Sequence, residues 1–219
     1  MKKYVAELVA TFFLVFCGTG SMVIEAETHG AISHVGVAIS WGLIVTIMIF
    51  AYGRISGAHM NPAVTITLVV LKKHPIKELV PYVGFQIAGA FLASLTLRLL
   101  FPENEYLGST LPNGSENQSF VLEFILTFML MLVILLTTTG GKAEKYFAPL
   151  AIGGVVLLEA MYAGPITGAS MNPARSLAPA VVSGHTEHLW LYLVATVAGA
   201  LVAGVYWMWQ GSTPVESED

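Results

Sequence analysis

The chain has 219 residues, of which 55% are hydrophobic and only 11% charged, and its mean hydropathy is +0.73. That composition lies far outside the range of soluble globular proteins, and it leaves too little polar chain for a soluble catalytic domain. The formal net charge of −4 carries little information by itself; the placement of the cations carries more.

A bilayer core about 30 Å thick needs roughly 20 apolar residues per crossing helix. In chain order, stretches 4–24, 33–52, 79–101, 120–139, 147–163 and 188–209 have that length or nearly so. The first follows only Met1, Lys2 and Lys3 and lacks an A-x-A-like cleavage site, so it reads as a retained helix and not a signal peptide. The fifth is short, and Pro165 is expected to stop it. Lys2, Lys3, Arg54, Lys72, Lys73, Lys77, Lys142 and Lys145 fall at the N-terminus and in the second and fourth connections. The first and third connections carry Glu25, Glu27, Glu103, Glu105 and Glu116, with no Lys or Arg. The positive-inside rule therefore puts both termini in the cytoplasm. Arg98, near the outer end of the third span, is expected to snorkel to the interface. Segments 102–119 and 211–219 are polar and read as mobile. Cys17 is the single cysteine, so no intrachain disulfide forms.

Two octapeptides organise the chain. Residues 56–63 read Ser-Gly-Ala-His-Met-Asn-Pro-Ala and residues 167–174 read Thr-Gly-Ala-Ser-Met-Asn-Pro-Ala, 111 positions apart (56 to 167). The first span holds Glu7 followed by Thr11-Phe12, and the fourth holds Glu123 followed by Thr127-Phe128. Each copy thus contains three spans, an odd number, so the copies must insert with opposite orientation as an inverted repeat. The expected fold is an all-α membrane protein with six transmembrane helices and two re-entrant half-helices. It forms a single channel domain over 1–219, with repeats at approximately 1–101 and 120–209 and a tail at 210–219.

After each octapeptide comes an apolar run too short to cross, 61–71 and 172–182. Eleven residues at 1.5 Å rise span about 16 Å, roughly half the bilayer core. Asn61 and Asn172 favour the N-cap, Pro62 and Pro173 the first helical position, and Ala63 and Ala174 follow. Two such half-helices, one from each side, would meet near the midplane. Each tip behaves like roughly half a positive charge, so the pair opposes cations and protons. Non-helical backbone at that depth must be enclosed by protein or a watery cavity.

Arg175 stands in the first turn of the second half-helix, where the first has Val64. A lone intramembrane arginine is costly, about 2.5–3.5 kcal/mol on translocon scales, and marks a functional position. Glu7 and Glu123 are expected to accept hydrogen bonds from the re-entrant loops. Glu159 has no counterpart in the first repeat, and loop support or a direct effect on permeation both stay open for it. Among the histidines only His59 lies in a motif, either packed in the vestibule or sensing pH. No phosphate loop, metal-ligand cluster or nucleophile–base pair occurs in the sequence, so neither cofactor nor metal is expected.

The twin Asn-Pro-Ala boxes, the second continuing as Arg175-Ser176, resemble those of the aquaporin (major intrinsic protein) family over nearly the whole chain. The resemblance implies a homotetramer in the lipid bilayer, each subunit with its own pore for small neutral solutes and water, and no nucleic-acid partner. It also implies an outer selectivity filter of four residues. Twenty before Asn61 stands Trp41; twelve and three before Asn172 stand Ala160 and Ala169; Arg175 is the fourth. Strict water channels typically place Phe and His at the first two positions. Stretches 33–42 and 163–171, with Tyr192, Ser176 and Ala180, are similar instead to the nodulin-26-like (aquaglyceroporin-type) members and their bacterial relatives. Trp41 offers an apolar wall for a carbon backbone, and two alanines leave room opposite Arg175. That suits glycerol, and also arsenite or boric acid. A water-selective channel is the rival within the class; a secondary active transporter is the rival outside it, although no span contains Asp. The short termini suggest a bacterial inner membrane.

Overall fold

The computed structural model describes residues 1–211, and the rest of the tail expected at 210–219 lies outside the described residues. Eight helices follow in order: α1 Lys2–Glu27, α2 Ser33–Ser56, α3 Pro62–Val70, α4 Leu79–Leu100, α5 Glu116–Thr139, α6 Lys142–Thr167, α7 Pro173–Ser183 and α8 Leu189–Gln210. Among the described residues no strand occurs. Among the described residues six helices are long and apolar enough to cross a membrane; α3 and α7 are the half-length pair. Their outward faces carry Leu43, Ile47 and Phe50 on α2, Leu95 and Leu99 on α4, and Val202 and Val205 on α8, all exposed. In hydrocarbon such side chains have no water to avoid, and the bundle is held by close packing and hydrogen bonds.

The packing is paired about a pseudo-twofold relation. Helix α1 lies on α4 and α2, α5 lies on α8 and α6, and α2 crosses α6. The half-helices fill the middle: α3 rests on α8 and α4, α7 rests on α4 and α8, and the two touch each other. Close approach depends on missing side chains. A Cβ on Gly89 would press on the Leu8 carbonyl, and one on Gly199 would press on the Phe124 carbonyl at the equivalent crossing. Gly42 and Gly153 meet the same way, since a Cβ on Gly42 would lie 2.7 Å from the Gly153 carbonyl oxygen.

Two expectations from the sequence are corrected. Pro165 does not end the fifth span, because α6 runs on to Thr167 with Pro149 and Pro165 inside it. The carbonyl of Met161, four residues before Pro165, receives a hydrogen bond from His34 Nε2 at 2.6 Å instead of one from the helix backbone. A proline is tolerated where a neighbouring helix pairs the freed carbonyl. Segment 102–119 is no loose connection either. Leu107 and Thr110 are buried in the bundle, and Arg98 donates to the carbonyls of Pro102 at 3.0 Å and Asn104 at 2.9 Å, so its charge is tied to this loop. The last residues of the segment begin α5, whose N-cap Ser115 accepts from Gln118 N.

Gly89→Ala should cost about 1–3 kcal/mol by over-packing the α1–α4 crossing and lower the thermal midpoint in detergent by several degrees. Gly84→Ala on the same helix, where a Cβ meets nothing within 4 Å, should leave it unchanged or slightly raised. Thermal unfolding followed by helical circular dichroism checks both, and equal midpoints for the two variants would contradict the packing argument.

Candidate functional site

Each re-entrant loop begins where a glycine ends a helix. Gly57 (φ 89°) closes α2 and Gly168 (φ 82°) closes α6, both left-handed. Beyond them Ala58 and Met60, and equivalently Ala169 and Met171, also have positive φ, between 43° and 54°. Such backbone costs of the order of 1–2 kcal/mol per non-glycine residue and persists only where the surroundings impose it. Here the surroundings are two buried carboxylates. Glu7 accepts from His59 N at 2.9 Å, Met60 N at 2.8 Å and Gln86 Nε2 at 2.8 Å. Glu123 accepts from Ser170 N at 2.9 Å, Met171 N at 3.0 Å and the Thr167 hydroxyl at 2.7 Å. Two tyrosines add a matching pair of struts: Tyr82 donates to Ser56 O and Tyr192 to Thr167 O.

The loops deliver Asn61 and Asn172 to the tips of α3 and α7. Each side-chain oxygen caps its own helix, Asn61 accepting from Ala63 N, and Asn172 from Ala174 N and Arg175 N. Each amide nitrogen reaches across: Asn61 Nδ2 donates to Met171 O at 2.7 Å, and Asn172 Nδ2 to Met60 O at 2.8 Å. Pro62, Ala63, Pro173 and Ala174 are buried behind them. The two tips are thereby clasped, with one amide N–H of each asparagine left over.

A cavity of about 670 Å³ runs past this clasp. At one end it is lined by Arg54, Thr138, Lys145 and Tyr146, at the middle by Asn61 and Asn172, and at the other end by Trp41, Ala169 and Arg175. Leu14, Val45, Ile49, Val64, Leu68, Leu130, Ile134, Ile152 and Val156 make its apolar wall. Arg175 is 1% exposed. Its Nη1 donates to Gly108 O at 2.8 Å and its Nη2 to Gly168 O at 3.3 Å, while its guanidinium carbon lies 4.7 Å from the centre of the Trp41 ring. Trp41 in turn fits only because Gly18 on α1 has no side chain, since a Cβ there would overlap its ring.

Of the four expected filter residues, Trp41, Ala169 and Arg175 line the cavity, whereas Ala160 packs in the same buried cluster as Trp41 without reaching the cavity wall. His59 lines the cavity at its basic end; its Nδ1 pairs with Thr65 Oγ1 at 3.1 Å, and its ring packs on His74 and Tyr82. Burial pushes the His74 imidazole below its usual range. Glu159 is fully buried, and neither carboxylate oxygen has a protein partner. It bonds to neither loop and is absent from the cavity wall. Among the described residues no group of three or more His, Cys, Asp or Glu could hold a metal.

Sequence reasoning missed three contributors. The Gly108 carbonyl comes from a loop read as mobile. Gln86 bridges Glu7 and Thr65 Oγ1, and Met22 accepts from Arg175. The tyrosine struts were findable, because Tyr82 and Tyr192 stand 110 positions apart (82 to 192), close to the motif spacing.

The family model described as Major intrinsic protein matches residues 1–207. Nodulin-26 of Glycine max is 47% identical over 207 residues, covering 94% of this chain and 76% of that protein. Aquaporin NIP1-1 of Oryza sativa subsp. japonica is 48% identical over 207 residues, covering 94% and 72%. In structure, the aquaglyceroporin from Plasmodium falciparum superposes with a TM-score of 0.83 at 27% identity, over 94% of each chain. The two sequence relatives are plant proteins, which gives no support to the bacterial membrane expected from the short termini. With clasped half-helices, a cavity alongside them and this kinship, the chain belongs to the major intrinsic protein family and is a multi-pass membrane channel, not an enzyme.

Proposed function

We propose that this channel passes water together with glycerol-sized neutral solutes, metalloid hydroxides such as arsenite or boric acid included. The observation that carries the reading is the two-sided lining of the cavity. Aliphatic side chains such as Val45, Ile152 and Val156 share it with the two motif loops and Arg175. A carbon backbone can slide on the first while its hydroxyls trade partners along the second. A solved relative that bears the name aquaglyceroporin supports the polyol.

In this reading Trp41, Ala160, Ala169 and Arg175 form the outer filter, with Ala160 acting by the room it leaves behind Trp41. Asn61-Pro62-Ala63 and Asn172-Pro173-Ala174 form the midplane barrier, and Glu7 and Glu123 hold the loops. The chain is one channel domain of two inverted repeats, with both termini cytoplasmic. It assembles as a homotetramer with one pore per subunit. The test is stopped-flow light scattering of proteoliposomes, comparing sorbitol with glycerol gradients. Glycerol should enter well above the rate of empty vesicles; entry at the empty-vesicle rate would reduce the channel to a water-selective one.

Trp41→Phe combined with Ala160→His adds a donor and narrows the outlet. Glycerol permeability should fall about tenfold or more, a barrier rise of roughly 1.4 kcal/mol, while water permeability is kept; unchanged glycerol flux would refute the filter. Glu123→Gln replaces one accepting oxygen by a donor facing backbone N–H groups, and hydrogen bonds to charged groups are worth about 1.5–3 kcal/mol each. It should lower thermal stability and reduce water and glycerol fluxes together, leaving their ratio as it was. A changed ratio with normal stability would place Glu123 in the filter instead.

A further inference from the structure

The fork of Arg175 carries five N–H donors in a fixed plane. Nη1 is tied to Gly108 O at 2.8 Å, and Nη2 to Gly168 O at 3.3 Å. Nη2 has a second partner, the Met22 thioether sulfur on α1, at 3.4 Å. Nε is buried and has no protein partner. One face of the group lies on Trp41. Nη2 therefore has two acceptors on the wall, and the donors without a protein partner are Nε–H and the second hydrogen of Nη1.

Met22 is the one partner of this fork that is a side chain able to change by substitution, the other two being backbone carbonyls. Its place in the repeat is telling. The first helices of the two copies correspond with an offset of 116 (Glu7 to Glu123), which carries Met22 onto Thr138. Thr138 lines the opposite mouth of the cavity. The motif offset of 111 (Asn61 to Asn172) carries Arg175 back onto Val64, which also lines it. Thr138 on α5 thus lines one mouth and bonds to its own helix at Ile134 O, whereas Met22 on α1 accepts from Arg175 at the other.

We infer that Met22 is a positioning residue of the filter: its sulfur holds Nη2 of Arg175 against the wall, so that the guanidinium leaves a solute-sized opening beside Trp41. This inference rests on the filter reading above. A thioether is a weak acceptor and a flexible, polarisable one. It is strong enough to bias the rotamer of a buried guanidinium, and too weak to draw Arg175 away from Gly108 and Gly168. Without it, an Nη2 hydrogen in a buried site has only the lumen in which to find an oxygen. The arginine then turns inward and obstructs the bulkier solute more than water.

Met22→Leu removes the acceptor at nearly constant volume, and Met22→Gln restores an acceptor on a side chain of similar length. Proteoliposomes of both variants, normalised to channel content, are compared with wild type for the ratio of glycerol to water permeability. Met22→Leu should lower that ratio about threefold or more, the scale of one weak hydrogen bond, and Met22→Gln should bring it back. A wild-type ratio in Met22→Leu overturns the inference. So does an equal loss in both variants, which would mark the site as a matter of shape alone. Arg175→Val, the residue of the first repeat, separates the two levels. If it changes the ratio while Met22→Leu does not, Met22 alone is wrongly assigned; if it leaves the ratio untouched, the filter reading falls and the role of Met22 with it.

Discussion

Two runs of five backbone positions, 57–61 and 168–172, are non-helical at the depth where the half-helices meet, and lipid offers them no hydrogen-bond partner. Two carboxylates answer that demand. Each is enclosed by the bundle and receives three donors: two successive loop N–H groups and one side chain, Gln86 for Glu7 and Thr167 for Glu123. A carboxylate suits the task because both oxygens accept and neither donates. Its buried charge is tolerable because the converging donors replace the water it lost. The consequence propagates outward. With the N–H groups of His59, Met60, Ser170 and Met171 turned towards the glutamates, the chain enters α3 and α7 with the carbonyls of Met60 and Met171 facing the opposite asparagine. The clasp between the tips is the result of the glutamate grip.

The twofold skeleton repeats down to single atoms, as the paired tyrosine struts and the Gly89 and Gly199 crossings demonstrate. The chemistry at the two mouths does not repeat. The inner half-helix has Val64 where the outer has Arg175, and only the outer receives a buried loop, which lends it the Gly108 carbonyl. Thr110 of that loop also donates to Ser176 Oγ on α7. The two mouths therefore differ in Arg175 against Val64 and in the connecting segment that packs beside Arg175, while the packing that holds both copies is common. One mouth thus carries a buried cation without any change in the frame that supports it.

Much of this was legible because it depends on local rules. An Asn-Pro pair before a short apolar run specifies a capped half-helix, and the caps are made by the expected asparagine oxygens. Span lengths follow from bilayer thickness. What escaped depends on partners distant in sequence. Segment 102–119 has the composition of a solvent loop, yet Arg98 and Arg175 draw its carbonyls inward, an attraction no local pattern records. Pro165 reads as a stop, yet His34, 127 residues from Met161, pairs the freed carbonyl. Met22 looks like bundle core because a thioether gives no polar signal in a span.

In the proposed reading of the midplane as the barrier, the leftover donors explain how a water-filled path refuses protons. At the midplane both asparagine oxygens are committed to their own helix N–H groups, and one N–H of each amide is committed to the opposite loop. What the lumen meets is one N–H from each side, in addition to two positive helix ends. A solute oxygen there accepts from both and must point its own hydrogens along the pore, away from the centre. Waters on either side are then oriented oppositely, and a proton arriving from one mouth finds no acceptor chain continuing to the other. The cross-link from Nδ2 to the facing carbonyl fixes the amide planes, so the donors cannot rotate to readmit such a chain. Proton refusal and solute passage are thus the same geometric fact: a midplane that only donates binds a neutral hydroxyl briefly and transmits no charge.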